Sequence, residues 1–244
     1  MIEIKNISKV FKKSKGIFNI SFSINEGDIT GLIGDNGAGK TTLIKSIMGD
    51  YKLDEGEIEF FGETKNFRLL IGYFPDQNNF PKSEKIYDYC RYILDLKKIK
   101  IKDIKEKFDN LVNMLGLEEY INYTFEKLSS GMQKRALLIP LLLTDPKLII
   151  LDEPTENLDV NSRLEFLKLI KYLSTEFKIM ILITSHNINE LEDYINKVIF
   201  LKNGKICYKD KFEKSKSSLI DLYHKHLGTE NKHMVFDDLK EIRK

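Results

Sequence analysis

Cysteine is nearly absent: the 244 residues hold two, Cys90 and Cys207, in no metal-like spacing. That excludes a disulfide scaffold and leads us to expect a reducing compartment. Long apolar runs are also missing. The richest, Ala136 to Leu143, falls far short of the roughly 20 residues a membrane span requires, so any work at a bilayer would need another chain to supply the span. Charge of one sign is missing too. Lys plus Arg (39) against Asp plus Glu (37) leaves +2, which gives no basis for a nucleic-acid or acidic-lipid surface. The low hydrophobicity of disordered chains is likewise absent, since 42% hydrophobic and 31% charged residues predict a folded protein. Met1 leads directly into Ile-Glu-Ile-Lys without a basic start and an apolar stretch, so no secretory signal and a cytosolic location are expected.

What is present reads as one α/β domain with an inserted part, the ordinary expectation at this length. Ile2, Ile4 and Ile7 open a β-rich start, and Phe18, Ile20, Phe22 and Ile24 alternate with small or polar residues as one face of a strand would. Ile29 to Ile33 reads as a short apolar strand, Lys40 to Met48 as a helix, and Gly56 to Phe61 and Ile71 to Phe74 as further strands. Pro75 and Pro81 mark a change of character. From about Lys85 to Leu143 the spacing is helical: Ile86, Tyr89 and Ile93 share one face, as do Ile104, Phe108, Leu111 and Leu115, with Gly116 as a cap. Buried parallel strands are expected at Leu148 to Leu151, Ile179 to Thr184 and Val198 to Leu201, and Asn203-Gly204 is a two-residue hairpin signal before Ile206 to Tyr208. The tail from Phe212 to Lys244 is charged and mostly helical in pattern.

Two segments carry chemistry. Gly34-Asp35-Asn36-Gly37-Ala38-Gly39-Lys40-Thr41-Thr42 satisfies the phosphate-loop pattern between an apolar strand and a helix. Its glycines let backbone N–H groups converge on phosphate oxygens, and the helix N-terminus adds a positive dipole. Lys40 would reach the β and γ phosphates and Thr41 would ligate Mg²⁺, so ATP and Mg²⁺ are the expected ligands. Leu148-Ile149-Ile150-Leu151-Asp152-Glu153 ends a buried strand in adjacent carboxylates, of which Asp152 would orient the metal and Glu153 would act as general base on the attacking water.

With those two placed, the chain from about Ile2 to Gly204 resembles the ATP-binding-cassette (ABC) ATPases. Leu128-Ser129-Ser130-Gly131-Met132 looks like that family's signature, with Ser130 for a glycine and Met132 for a glutamine. The resemblance implies that Ser129 and Gly131 bind the γ-phosphate of a nucleotide held by the other subunit; by itself the segment also reads as a serine helix cap. It further implies that Phe11 stacks on adenine, that Asp159 communicates across the dimer and that His186 is a switch histidine. The family's glutamine position falls at Asp76 or Gln77, and the choice between them for Mg²⁺ and water is open. Pro140, after the signature, is expected to remove a helical hydrogen bond and bend the axis.

The fold so implied is an α/β P-loop NTPase with a RecA-like core, an antiparallel β subdomain and an inserted α-helical subdomain. The ATPase domain would cover 1–228, the helical part about 82–144, and a charged tail 229–244. The activity implied is that of the separate ATPase subunit of an ABC transporter. It would work as a dimer, preferentially of identical copies although a heterodimer is open, and sit at the cytoplasmic membrane face through a separate transmembrane permease. Leu219-Ile220-Asp221-Leu222-Tyr223 ending at Gly228, with the short loop near Asp76, resembles ATPases of exporters more than those of importers. The alternative is a cassette ATPase of a macromolecular assembly system such as iron–sulfur assembly, which usually carries Glu where Met132 stands.

Overall fold

The computed structural model describes residues 1–12, 15–64, 67–75, 82–185 and 187–228. Its centre is a sheet of six strands in the order β5 (Ile71–Phe74), β6 (Leu148–Leu151), β7 (Met180–Thr184), β3 (Ile29–Ile33), β8 (Lys197–Lys202) and β9 (Lys205–Lys211). The first five run parallel and β9 pairs antiparallel with β8. The inner strands are continuous apolar runs because helices cover both faces. In β6, Leu148 and Ile150 enter one core while Ile149 and Leu151 enter the other, as the two-residue period of a strand dictates.

On the first face lie α1 (Lys40–Met48), through Leu43, Ile44 and Ile47, and a second, antiparallel sheet in the order β2 (Lys15–Ile24), β1 (Ile2–Phe11) and β4 (Glu55–Phe60). On the other lie α4 (Ser130–Leu143) and α5 (Val160–Phe177), the latter through Phe166, Leu167 and Ile170. Of the residues between β5 and β6, those described from 82 onward are mostly helical, with α2 (Ile86–Leu96) and α3 (Lys105–Met114) packed on α4. Two residues just past the signature tie this part together. Gln133 Nε2 donates to the Phe125 and Leu128 carbonyls at 2.8 and 3.2 Å, and an Arg135 guanidinium N–H donates to the Leu115 carbonyl at 2.9 Å. Gly116, at φ +64°, closes α3 as expected.

Two expectations change. The buried face of α2 is Ile86, Cys90 and Leu94, with Tyr89 and Ile93 at its flank, because α4 selects the stripe. The alternation in β2 breaks at Asn19, which sits at φ +50° and donates its N–H to the Ser8 hydroxyl. Ile17 is thereby buried with Ile20, Phe22 and Ile24, whereas Phe18 is turned off that face and only half-buried. Such bulges redirect a side chain at the cost of one ladder step. Pro140 lies inside α4, as expected, and the helix runs on to Leu143.

Two short helices complete the described chain, α6 (Ile188–Leu191) and α7 (Leu219–His226). The predicted hairpin turn joins β8 to β9, with Asn203 at φ +50° and Gly204 at φ +74°, the doubly left-handed geometry of a type I′ turn. A Cβ on Gly204 would lie 2.2 Å from the Gly16 carbonyl oxygen, so only glycine lets β2 pass this close. Among the described residues no helix is long and apolar enough to cross a membrane.

Candidate functional site

The carboxyl ends of β3, β6 and β7 lie side by side, and in an open α/β sheet that is where ligands bind. From β3 the chain enters the glycine-rich loop. A Cβ on Gly34 would sit 2.4 Å from the Leu201 carbonyl oxygen, so the loop's first residue is pressed against β8. Gly37 and Gly39 take φ of +82° and +110°, a left-handed geometry that glycine adopts without steric cost. Gly39 caps α1 with no side-chain acceptor on the first amides, which leaves those N–H groups and the helix dipole for an anion. Lys40 Nζ donates to the Gly34 carbonyl at 2.6 Å and the Asp35 carbonyl at 3.3 Å. Burial lowers the pKa of Lys40, while Glu153, Asp152 and Asp35 pull it the other way. The turn between β8 and β9 braces the loop, since the Gly204 N–H donates to the Ala38 carbonyl at 2.8 Å.

Asp152 and Glu153 follow β6 directly. Between them and the loop stands Thr184, the last residue of β7, fully buried. Its hydroxyl donates to Asp152 Oδ1 at 2.8 Å and accepts from the Glu153 N–H at 3.0 Å, so one side chain fixes both carboxylate residues. Glu153 holds φ +48°, an uncommon conformation for a residue with a side chain and one that neighbouring bonds must maintain. Replacing Thr184 by the near-isosteric valine leaves both groups without this partner. Thr184→Val is expected to cost about 1–2 kcal/mol of stability and to lower ATP turnover about tenfold or more, with Thr184→Ser restoring most of it. Native turnover in the valine variant, by steady-state phosphate release, would remove Thr184 from the site.

The loop and both carboxylates share one cavity of about 780 Å³, lined by Asp35, Asn36, Gly37, Gly39, Lys40, Thr41, Thr42, Asp152 and Glu153, with Phe11, Phe18 and Gly16 also in its wall. Phe11 sits at the exposed end of β1, edge-on to Tyr51 at 5.2 Å between centroids, with Lys9 Nζ 5.7 Å from its ring centre. Phe18 reaches the cavity because of the bulge in β2. Gly34 and Ala38 belong to the loop but do not line the cavity.

Ser129, Gly131 and Asp159 are not in that cavity. Ser129 caps α4, its hydroxyl accepting from the Met132 N–H at 3.3 Å. A Cβ on Gly131 would meet the Ser162 hydroxyl oxygen at 2.9 Å, so the start of α4 lies against the start of α5. Asp159 caps α5 through Ser162, accepting from its hydroxyl at 2.6 Å and its N–H at 3.0 Å, and those bonds hold its carboxyl below the usual range. Asp76, Gln77 and His186 lie outside the described residues.

The residues present suit a magnesium nucleotide. Thr41 and Asp152 bring hard oxygen donors to the cavity that also holds Lys40, and among the described residues no cluster of three or more His, Cys, Asp or Glu forms a self-sufficient metal cage. Magnesium commonly takes one or two protein oxygens and completes its shell with water and phosphate. Sequence reasoning missed Thr184, Gly204 and Phe18 here. Thr184 carried a signal, a lone hydroxyl ending an otherwise apolar strand.

Comparison with known proteins agrees with this geometry. The family model described as "ABC transporter" matches residues 17–156. The chain is 31% identical to the uncharacterised ABC transporter ATP-binding protein YxlF of Bacillus subtilis, over 88% of this chain and 72% of that one. It is 32% identical to the methionine import ATP-binding protein MetN of Clostridium tetani (84% and 68%) and 32% identical to the zinc uptake system ATP-binding protein ZurA of Listeria innocua (85% and 84%). Among solved structures it is similar to cbiO1 of Clostridium perfringens, part of the ABC transporter complex cbiONQ, at TM-score 0.78 and 25% identity over 98% of both chains. The ATP-binding cassette MJ0796, solved as a post-hydrolysis dimer bound to ADP and Pi, superposes at TM-score 0.75 and 25% identity over 87% of this chain and 99% of that one. A strand-fed phosphate loop facing paired carboxylates, on a chain matched over most of its length by such proteins, leaves one assignment: this chain belongs to the ABC transporter family, as one of its ATP-hydrolysing, ATP-binding cassettes.

Proposed function

We propose that the chain powers a transporter as a pair of identical copies, each binding ATP at its own phosphate loop and covering the ATP of the other. One observation carries this: the cavity gathers the loop and both carboxylates, while Ser129 and Gly131, at the head of α4, stand outside it. A single copy therefore holds half a site. Phe11 would stack on the base, the loop amides and Lys40 would hold the phosphates, and the second copy would bring Ser129 and Gly131, with Asp159 at the junction. Thr41 and Asp152 would hold Mg²⁺, which when bound neutralises charge on the phosphates, and Asp76 or Gln77 would serve beside them. Glu153 takes the proton of the attacking water, and His186 would face the γ-phosphate.

The cassette would occupy 1–228, with its helical part at about 82–144 and a tail at 229–244. It would sit peripherally at the cytoplasmic membrane face on a separate permease. Two features support such a partner. No described helix is long and apolar enough to span a bilayer, and Leu69, Tyr92 and Leu96 are exposed, with Lys97 Nζ donating to the Leu69 carbonyl at 3.0 Å. Export was suggested by Leu219 to Tyr223, but that segment forms α7 and packs into the cassette, and two relatives are named for methionine import and zinc uptake. The proposal is accordingly made without a direction.

Complementation tests the shared site. Lys40→Met spoils a copy's own loop and Ser129→Arg spoils what it lends. Each alone is expected to be nearly inactive, and mixing them to restore about a quarter of native ATPase, because half the dimers are mixed and each of these has one intact site. A mixture no better than its components would sink the composite site. The permease part fails if the chain, expressed with its neighbouring genes, never purifies with a polytopic membrane protein.

A further inference from the structure

α7 is anchored on the strands that flank the phosphate loop. Leu219 and Leu227, at and just past its ends, are buried, the Leu219 N–H donates to Glu192 Oε1 at 2.8 Å, and the His226 ring stacks on Tyr208 of β9 at 4.2 Å between centroids. Tyr223 lies mid-helix, edge-on to Phe200 of β8, and Phe200 pairs in register with Ile33, the last residue before the loop. From there the Tyr223 hydroxyl donates to Asp35 Oδ1 at 2.9 Å across 188 residues of sequence. Asp35 is the loop's second residue and lines the cavity. Its carbonyl is held by Lys40 and its carboxylate by Tyr223, so the peptide that begins the loop is fixed at both ends.

We infer that Tyr223 is a positioning residue of the phosphate loop, which makes α7 a working part of the ATP site. A carboxylate on the rim of a polyanion site repels the ligand unless a donor draws it aside, and the phenol supplies that donor without adding charge. Burial and then Asp35 itself raise the pKa of Tyr223, so the hydroxyl keeps its proton through the neutral range. The inference rests on the cavity being the ATP site.

Tyr223→Phe removes the hydroxyl and leaves the ring against Phe200. In the full chain, binding of a fluorescent ATP analogue is expected to weaken about three- to tenfold, the order of one ordinary hydrogen bond, and KM for ATP to rise in parallel. kcat and the melting temperature should stay near native. In an Asp35→Ala background the same change should have no further effect. Native affinity and KM in Tyr223→Phe would overturn the inference, as would a fall in melting temperature and kcat at unchanged KM, or a full effect in the Asp35→Ala background. Lys40→Met separates the two levels. If it weakens binding while Tyr223→Phe does not, only the role of Tyr223 falls; if neither does, the ATP-site reading falls with it.

Discussion

Lys40→Met is expected to lower ATP affinity about 100-fold or more. The substitution keeps the aliphatic stem and roughly the volume, so what is lost is the ammonium. Its nitrogen bonds the carbonyls of Gly34 and Asp35, at the start of the loop its own helix follows, and so stands inside the curve that would receive phosphates. Burial works against its charge, which lowers its pKa, and Glu153, Asp152 and Asp35 offset part of that. A triphosphate supplies the countercharge in a partly desolvated place, where removing one partner of a charge pair typically costs about 3–5 kcal/mol. Titration calorimetry reads the affinity directly, and a thermal shift gives a second reading. ATP at 100 times the native dissociation constant should stabilise the native chain by about 2.7 kcal/mol and the variant by about 0.4 kcal/mol or less. Affinity within about threefold of native would mean that phosphates do not sit in this loop.

The parts of the molecule that were legible in advance are the local ones. The phosphate loop could be found because strand, glycines, lysine and helix are contiguous, and the bounds of β3, α1, β5 and β6 fall where apolar runs stop at glycine, proline or charge. Asn203-Gly204 announced its turn because few other pairs tolerate left-handed geometry twice over. The bulge in β2 was hidden because it exists only through pairing with β1, where Ser8 accepts from Asn19 and Ser21 from Asn6. The stripe of α2 was misread for a similar reason: Tyr89 and Cys90 are both apolar enough, and only α4 decides between them. The hydroxyl of Thr184 stands out at the end of an apolar strand, but its partner lies 32 positions away and that of Tyr223 188 positions away, so neither role follows from local pattern. The resemblance that joined Ser129 and Gly131 to the site supplied what the single chain does not display, since in one copy they form a helix start and nothing more.

Glu153→Gln is expected to lower turnover about 100-fold or more, with ATP affinity within about threefold of native, because a general base supplies about two to four powers of ten. Glutamine keeps the length and shape of the side chain and gives up only the ability to take a proton. The backbone here is held, not free: Glu153 sits at φ +48°, its N–H bonded to Thr184 and its carbonyl accepting from Glu156 at 3.2 Å. A residue kept in a costly conformation beside a phosphate loop is placed for its side chain, and the neighbouring Asp152 accepts from the Thr184 hydroxyl through Oδ1. If two copies close over ATP and reopen after hydrolysis, the variant should stay closed. Light scattering should then show a doubled mass with ATP that the native chain sheds as it turns over. Normal turnover would remove Glu153 from the base role, and slow turnover without the doubled mass would keep the base and refute the closing pair. Lys40→Met fails at the earlier step, losing both binding and dimer, so the two variants together separate holding the nucleotide from cleaving it.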